Sequence, residues 1–430
     1  MHRVKLKTKP DLIGLARNCP DKFPALLASN TKNEKTGRFS ILFYRSKKIK
    51  KAYNQAQLIN LLDTIDNTVR NHPTDDLPFY SGWFVYLSYA SIQAWETVLS
   101  QLQHDNDQPL ALAFRTKSAV IIDHIKEQYW LVGSSKKQIK KIQKLMRQQD
   151  KEVLTFNNHL TLQSDEVDTY IKNVEKAKTY IKQGDVYQVN LARYWQVKSE
   201  QKINALELYT SLSTHNPAPF AGILQTIDFS IISSSPERLV KVENNLIESR
   251  PIAGTRPRHK DNKKDNDLIN ELINHPKEQA EHVMLIDLER NDLGRICKIG
   301  SVKVDEFMGV ESYAKVHHIV SNVMGELAEN TTFKDIIEAT FPGGTITGCP
   351  KIRCMQIIDE LESYPRGAYT GSMGYITDDG RMDLNILIRT FTLSKNNLSF
   401  HAGAGIVYDS IAKKEAQESM HKAEALINSL

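Results

Sequence analysis

Two Glu-x-x-Glu pairs, Glu278/Glu281 and Glu415/Glu418, lie far apart in a chain of 430 residues. Three-residue spacing on a helix puts both carboxylates of a pair on one face. Four such groups brought together repel one another unless a hard cation sits among them. Oxygen-only ligation with few protein ligands suits Mg²⁺, which keeps waters and completes its shell with an anionic substrate. Solvated helix faces are also rich in glutamate, so spacing alone favours the bland explanation. The neighbouring residues shift that balance.

Pro251-Ile252-Ala253-Gly254-Thr255-Arg256-Pro257-Arg258 follows the strand-like Asn245–Ser249, and a glycine there lets backbone approach a ligand closely. Phe341-Pro342-Gly343-Gly344-Thr345-Ile346-Thr347-Gly348-Cys349-Pro350-Lys351 ends where a helix begins. Backbone amides in such a loop, with a helix N-terminus, form an anion site. Either segment taken singly also reads as an ordinary Gly/Pro turn.

The elements that must position these groups follow from periodicity. Phe39–Tyr44 and Gly82–Tyr89 read as strands, and Val120–Asp123 with Tyr129–Val132 as a hairpin. A helix at Ser135–Gln149 and the charged stretch Asp150–Glu152 suggest a seam. Tyr170, Val174, Ala177 and Ile181 have core spacing in a helix from Glu166 to Gln183, which Gly184 ends. Strands are expected at Val186–Leu191, Gly222–Gln225, Ser230–Ser233 and Leu239–Val242. Two helices follow, one reaching Ile273 and one starting near Pro276. Ser372–Ile376, Met382–Phe391 and Leu398–Ile406 read as strands, with a turn at Asp378-Asp379-Gly380. A helix from Ala412 to Leu430 closes the chain. This pattern predicts a mixed α+β protein with antiparallel sheet.

Composition removes several classes. Hydrophobic residues make up 40% and charged residues 25%, with a net charge of +5 from interspersed signs. The basic run Lys136–Arg147 is the solvated side of an amphipathic helix, and no aromatic-interleaved basic stripe points to nucleic acid. Four cysteines, Cys19, Cys297, Cys349 and Cys354, contain no CxxC pair and fit a reducing compartment. No apolar leader follows the basic N-terminus and no run is long enough to span a membrane, so a cytoplasmic protein is expected.

The segments above, together with Glu281–Arg295 (EHVMLIDLERNDLGR) and Ile388-Arg389-Thr390, resemble the chorismate-utilising enzymes from about Asp165 onward. Those enzymes are anthranilate synthase component I, aminodeoxychorismate synthase component I, and the isochorismate and salicylate synthases. Leu26-Leu27-Ala28-Ser29 and Asn216-Pro217-Ala218-Pro219-Phe220 resemble the two halves of that family's tryptophan pocket, with Leu27, Ser29, Pro219 and Phe220 as candidates. The resemblance implies an anthranilate synthase component I-like fold, two antiparallel sheets packed as a β-sandwich flanked by helices. It implies an N-terminal region, 1–150, interleaved with the core, and a chorismate-binding catalytic domain, 160–430. Glu281 and Glu418 would hold Mg²⁺ against the ring carboxylate, with Glu278 and Glu415 in the outer shell. Arg389 and Tyr369 would bind the enolpyruvyl carboxylate, Arg because its planar fork pairs a carboxylate bidentately. Gly403, Gly405, Gly344 and Thr345 would complete the cradle. Lys422 could touch the ring carboxylate, or merely pair with Glu418 one turn away. His318 matches the position beside the reacting ring edge; its neighbour His317 matches nothing.

Two positions bear on which reaction is run. Gln188 stands where the water-activating lysine of the isochorismate and salicylate synthases lies, and a neutral amide cannot deprotonate water. Ammonia needs no such base. Ala253 replaces the lysine that many aminodeoxychorismate synthases carry, which excludes covalent catalysis from that site. Tyr187-Gln188-Val189-Asn190-Leu191-Ala192 nevertheless resembles the aminodeoxychorismate branch. That branch is the expectation, with anthranilate synthase as the alternative and a silent tryptophan-binding regulator as the non-enzymatic one. No cysteine elbow of a glutamine amidotransferase is found, so ammonia is expected from a separate glutaminase subunit.

Overall fold

The strand Gly82–Leu87 reveals the layering, because every residue in it is buried. Trp83, Val85 and Leu87 pack into one apolar cluster, and Phe84 and Tyr86 into another. Strand side chains alternate between faces, so this strand is covered on both sides. The protein, described here from a computed structural model, is defined over residues 2–31, 35–45, 47–69, 76–148, 156, 160–313, 316–395 and 397–430.

Two antiparallel sheets, of twelve and ten strands, face each other. Their shared core holds Ile41, Phe43, Ile121 and Ile231 from the larger sheet and Phe84, Tyr86, Phe114 and Met373 from the smaller. Helices Gln55–Asp66, Pro276–Gly294 and Phe333–Thr340 cover the outer face of the smaller sheet. Helices Lys136–Arg147, Ala205–His215 and Ala412–Ile427 cover the larger one. Helices Val167–Gln183 and Lys351–Leu361 pack where strands Gln188–Ser199 and Asn397–Ile406 pair. Strands from both halves of the chain share both sheets: Ala25–Ala28 pairs with Phe220–Gln225, and Gly82–Leu87 with Ser372–Thr377. The seam expected at Asp150–Glu152 lies outside the described residues.

Most expected elements form near their expected limits. Gly184 ends its helix in the left-handed conformation at φ 82, which glycine adopts without strain. Three differences matter. Strand Gln188–Ser199 runs well past Leu191, because Trp195 and Val197 are buried under the larger sheet's helices. Pro251–Arg258 is largely a strand, Ile252–Pro257, with a register shift between Ala253 and Thr255. Finally, Met382–Phe391 is two strands, Met382–Asn385 in the smaller sheet and Thr390–Ser394 in the larger. The apolar residues Ile386, Leu387 and Ile388 hide the crossing, since they continue from one piece toward the next.

Among the described residues no helix is long and apolar enough to cross a membrane. The four cysteines are unpaired.

Arg366 ties the layers together. Its guanidinium donates to both oxygens of Glu362 at 2.6 and 2.8 Å, to Asn190 O at 2.8 Å and to Ile346 O at 3.2 Å. Glu362 also accepts from Ala192 N at 2.8 Å. Replacing one partner of a buried ion pair leaves the other uncompensated, at about 3–5 kcal/mol. Arg366→Leu is therefore expected to lower the urea midpoint by that equivalent, and an unchanged midpoint would contradict this reading.

Candidate active site

Two strands change sheets side by side, and each turns at an ionisable residue. Phe229–Ser235 lies in the larger sheet and Arg238–Glu243 in the smaller, with Pro236-Glu237 between them. The second crossing, 386–389, ends at Arg389. Ile386 N donates to Glu237 O at 3.1 Å, and Ser235 Oγ to Ile386 O at 2.5 Å. Such corners are where sandwiches let strands switch sheets. Arg389 has φ 51, an uncommon conformation for a non-glycine residue, and its carbonyl accepts from Ser234 N at 3.1 Å. Its guanidinium makes only a long contact with Asn216 Oδ1, 3.5 Å. No carboxylate pairs with it among the described residues, and burial depresses its pKa. It is a half-buried cation without an anion.

Glu237 faces the same corner. It is buried and accepts a hydrogen bond from Thr345 Oγ1 at 2.7 Å. Burial pushes its pKa from 4.5 up to about 8; the Glu289 carboxylate adds to this, while Thr345, Lys422 and Arg389 oppose it. The carboxyl is therefore mainly protonated at neutral pH and can donate. Sequence reasoning missed this residue. The available signal was an ionisable side chain after a proline between two apolar strands.

Helix Pro276–Gly294 starts with proline in its first turn; it presents Glu281 toward Gln188 and Glu278 toward Gly254 and Arg256 of strand Ile252–Pro257. Gln188 Nε2 donates to Glu281 Oε1 at 3.2 Å, while Gln188 Oε1 is buried without a partner. Burial raises the Glu281 pKa, and Glu278 and Glu418 raise it further. Glu415 is buried on helix Ala412–Ile427, and burial and Glu418 raise its pKa too. Glu418 is half exposed and pairs with Lys422 Nζ at 2.8 Å. Glu278 Oε1 meets Arg256 Nη1 at 3.3 Å. Across the two helices, the Glu418 charge acts on Glu281 and adds to the rise in its pKa.

Among the described residues no three His, Cys, Asp or Glu groups form a ready-made cage. The donor set nevertheless fits Mg²⁺: it is oxygen-only, and no cation pairs with Glu281 or Glu415 among the described residues. Mg²⁺ commonly uses one or two carboxylates, with water and substrate supplying the remainder.

His318 Nδ1 lies 3.2 Å from Gly254 O and 3.0 Å from Thr255 Oγ1. A carbonyl can only accept, so Nδ1 carries the proton and Nε2 a lone pair. Burial and Arg389 lower its pKa to about 4, so the ring is neutral. His317 instead bonds Asp265 at 3.0 Å and Ser312 at 2.7 Å, and is structural. Ala253 is buried opposite Ile319 in the ladder. Gly254 has φ 63, and a Cβ there would lie 2.9 Å from Glu278 Oε2.

The remaining expected residues divide. Tyr369 stacks on His401 with centroids 5.3 Å apart, beneath the Arg366 guanidinium. Gly344 and Thr345 form a short helical turn, and a Cβ on Gly344 would collide with Leu288. A Cβ on Gly403 would lie 2.1 Å from Leu191 O, so this glycine lets neighbouring strands approach. Gly405 leaves room for the Gln188 amide, 2.2 Å from where a Cβ would be. Lys422 holds the i,i+4 pair with Glu418, the plainer of its two readings. Leu27, Ala28, Pro219 and Phe220 line a separate cavity of about 180 Å³, with Met373, Tyr375 and Arg238. Ser29 is not in its lining; its hydroxyl donates to Thr31 O at 2.7 Å.

Residues 24–428 match the chorismate binding enzyme family. An anthranilate synthase component I-like protein of Synechocystis sp. is 44% identical over 369 residues, covering 85% of this chain and 75% of its own length. Aminodeoxychorismate synthase component 1 of Bacillus subtilis is 50% identical over 265 residues, covering 61% of this chain and 56% of its own. The crystal structure of anthranilate synthase component I from Streptococcus pneumoniae TIGR4 superposes with a TM-score of 0.81 at 32% identity, covering 92% of this chain and 93% of that one. The chain belongs to the chorismate-binding enzymes, close to anthranilate synthase component I.

Because Glu237 holds its proton more tightly when folded, its favourable contribution is complete below the unfolded pKa near 4.5. That contribution fades as pH rises through about 8. Glu237→Gln cannot ionise, so the variant should gain on the parent by about 3 kcal/mol between pH 5 and pH 8. Paired thermal melts at those two pH values test this; parallel curves would refute it.

Proposed function

We propose that this protein aminates chorismate at C4, as an aminodeoxychorismate synthase component I that takes ammonia from a separate glutaminase subunit. The observation that carries the reading is the unpaired Arg389 guanidinium beside the protonated Glu237 carboxyl. Chorismate carries two carboxylates and an allylic hydroxyl that must leave as water. Arg389 suits the enolpyruvyl carboxylate, and Tyr369 is proposed as its second contact. Glu281 and Glu418 would hold Mg²⁺ at the ring carboxylate, with Glu278 and Glu415 orienting waters. The ion would supply Lewis-acid neutralisation of the substrate's charge.

The chain's own groups do the rest. Glu237, oriented by Thr345, protonates the departing hydroxyl oxygen as the C4–O bond breaks. Gln188 has an unpartnered amide oxygen that can accept a hydrogen bond from incoming ammonia without deprotonating water. Ala253 leaves no covalent nucleophile, so ammonia substitutes directly. His318, neutral and held at Nδ1, offers Nε2 as an acceptor near the ring. The match to the Bacillus subtilis aminodeoxychorismate synthase supports this branch. Ala253 favours the second reading, anthranilate synthase, in which ammonia enters at C2 and pyruvate leaves. The Leu27–Phe220 cavity is proposed as the place of an amino-acid regulator such as tryptophan.

Purified protein incubated with chorismate, Mg²⁺ and an ammonium salt should form 4-amino-4-deoxychorismate, identified by mass spectrometry. Anthranilate fluorescence without an added lyase would replace the first reading by the second. Chelation by EDTA should abolish turnover and added Mg²⁺ restore it. Glu281→Ala should cost about 100-fold or more in kcat/KM. Full turnover in that variant would remove the metal role.

A further inference from the structure

Strand Gln188–Ser199 turns two side-chain amides toward one face, because residues two apart in a strand point alike. Gln188 Nε2 donates to Glu281 Oε1 at 3.2 Å, and Asn190 Nδ2 donates to Thr345 O at 3.1 Å. Each nitrogen is committed to an oxygen acceptor, so in both amides the oxygen is the free end. Gln188 Oε1 is buried without a partner, and among the described residues nothing donates to Asn190 Oδ1. Gly405 lies opposite Asn190 on strand Asn397–Ile406. A Cβ there would lie 2.2 Å from Gln188 Nε2 and 3.5 Å from Asn190 Oδ1, so the two amides meet over this one glycine. The Asn190 backbone is pinned on both sides: its N–H donates to Thr347 O at 3.0 Å, and its carbonyl accepts from Arg366 Nη2 at 2.8 Å. Thr345 holds the Asn190 amide through its carbonyl and Glu237 through its hydroxyl, at 2.7 Å.

Anchoring Thr345 uses only the nitrogen of Asn190 and leaves its oxygen idle. An acceptor buried without a donor, as Gln188 Oε1 is, carries a desolvation cost that a ligand's donor would relieve. Two idle acceptors on one strand face suit a small ligand rich in donors. Ammonia has three N–H donors and one lone pair, so two bonds to amide oxygens leave the lone pair uncapped. The last torsion of glutamine is soft, and Oε1 can turn toward an entering donor.

We propose that Gln188 Oε1 and Asn190 Oδ1 together seat the ammonia that attacks chorismate. The inference rests on the reading of this chain as an ammonia-using synthase, and it adds Asn190 as the second acceptor. The ammonia lone pair forms the C4–N bond while the C4–O electron pair leaves on oxygen, which takes the Glu237 proton and departs as water. Nitrogen becomes a substituted ammonium group. Its N–H bonds grow more polar as that charge develops, and they point at the two amide oxygens. The seat therefore holds the transition state more tightly than it holds free ammonia. Because Thr345 grips both Asn190 and Glu237, the entering nitrogen and the departing oxygen are positioned from one residue.

The test varies ammonium chloride at saturating chorismate and Mg²⁺. Asn190→Val suits a half-buried strand position and removes the acceptor. It should raise KM for ammonium about fivefold or more, while KM for chorismate stays within about threefold. Asn190→Asp keeps an oxygen at the seat but loses the donor to Thr345. Its kcat should fall, with an ammonium KM no more than about threefold above the parent's. Equal rises in ammonium KM for the two variants would mark Asn190 as a mere support for Thr345 and overturn the seat. So would an unchanged ammonium KM in Asn190→Val, or a chorismate KM that rises as much. Gln188→Met should raise the ammonium KM in the same way, and it decides the matter with Asn190→Asp if Asn190→Val does not fold. A parent enzyme that yields no aminated product at any ammonium concentration ends the proposed function and the seat together. Amination that persists in Asn190→Val with an unmoved ammonium KM ends the seat alone.

Discussion

A carboxyl that stays protonated and a guanidinium that stays unpaired are both costly inside a protein, and here they occupy one corner. Glu237 and Arg389 sit at adjacent points where strands leave one sheet for the other. The crossings exclude water, which is why Glu237 holds its proton, and they restrict the backbone so tightly that Arg389 adopts a left-handed conformation. Burial costs of this kind persist where the surrounding structure imposes them. A doubly anionic ligand relieves one of them by supplying Arg389 with its missing partner.

The acidic helices pose the complementary problem. Glu281 and Glu415 are pushed toward protonation by burial and by neighbouring carboxylates, so bare helices repel across the gap. The Gln188 amide and the Lys422–Glu418 pair offset only part of that charge. A site that is cationic at one end and anionic at the other suits a substrate that carries its own negative charges and arrives with a divalent ion.

Glycines at this site follow two different physical demands. Gly403 lets two paired strands come together, and Gly405 leaves space for the Gln188 side chain. Gly254 combines a left-handed φ with proximity to Glu278, and its own carbonyl accepts from His318 Nδ1. Sequence patterns identify all three as glycines that matter, but only packing separates those serving the ladder from those serving the site.

The chain by itself determined its antiparallel strands, its capped helices, the two acidic pairs and the motifs that place it among chorismate-binding enzymes. Those features are local: alternation, 3.6-residue spacing and short motifs are legible wherever neighbours in sequence are neighbours in space. Tertiary structure alone decided that Met382–Phe391 is two strands in two sheets, because a buried crossing has the same apolar pattern as a continuous strand. It also decided that Ser29 turns to Thr31 rather than into the cavity, and that Glu237 is the buried acid. The protonation of Glu237 depends first on its burial, with Glu289 adding to it and Thr345, Lys422 and Arg389 opposing it from distant segments, and no local pattern encodes that meeting.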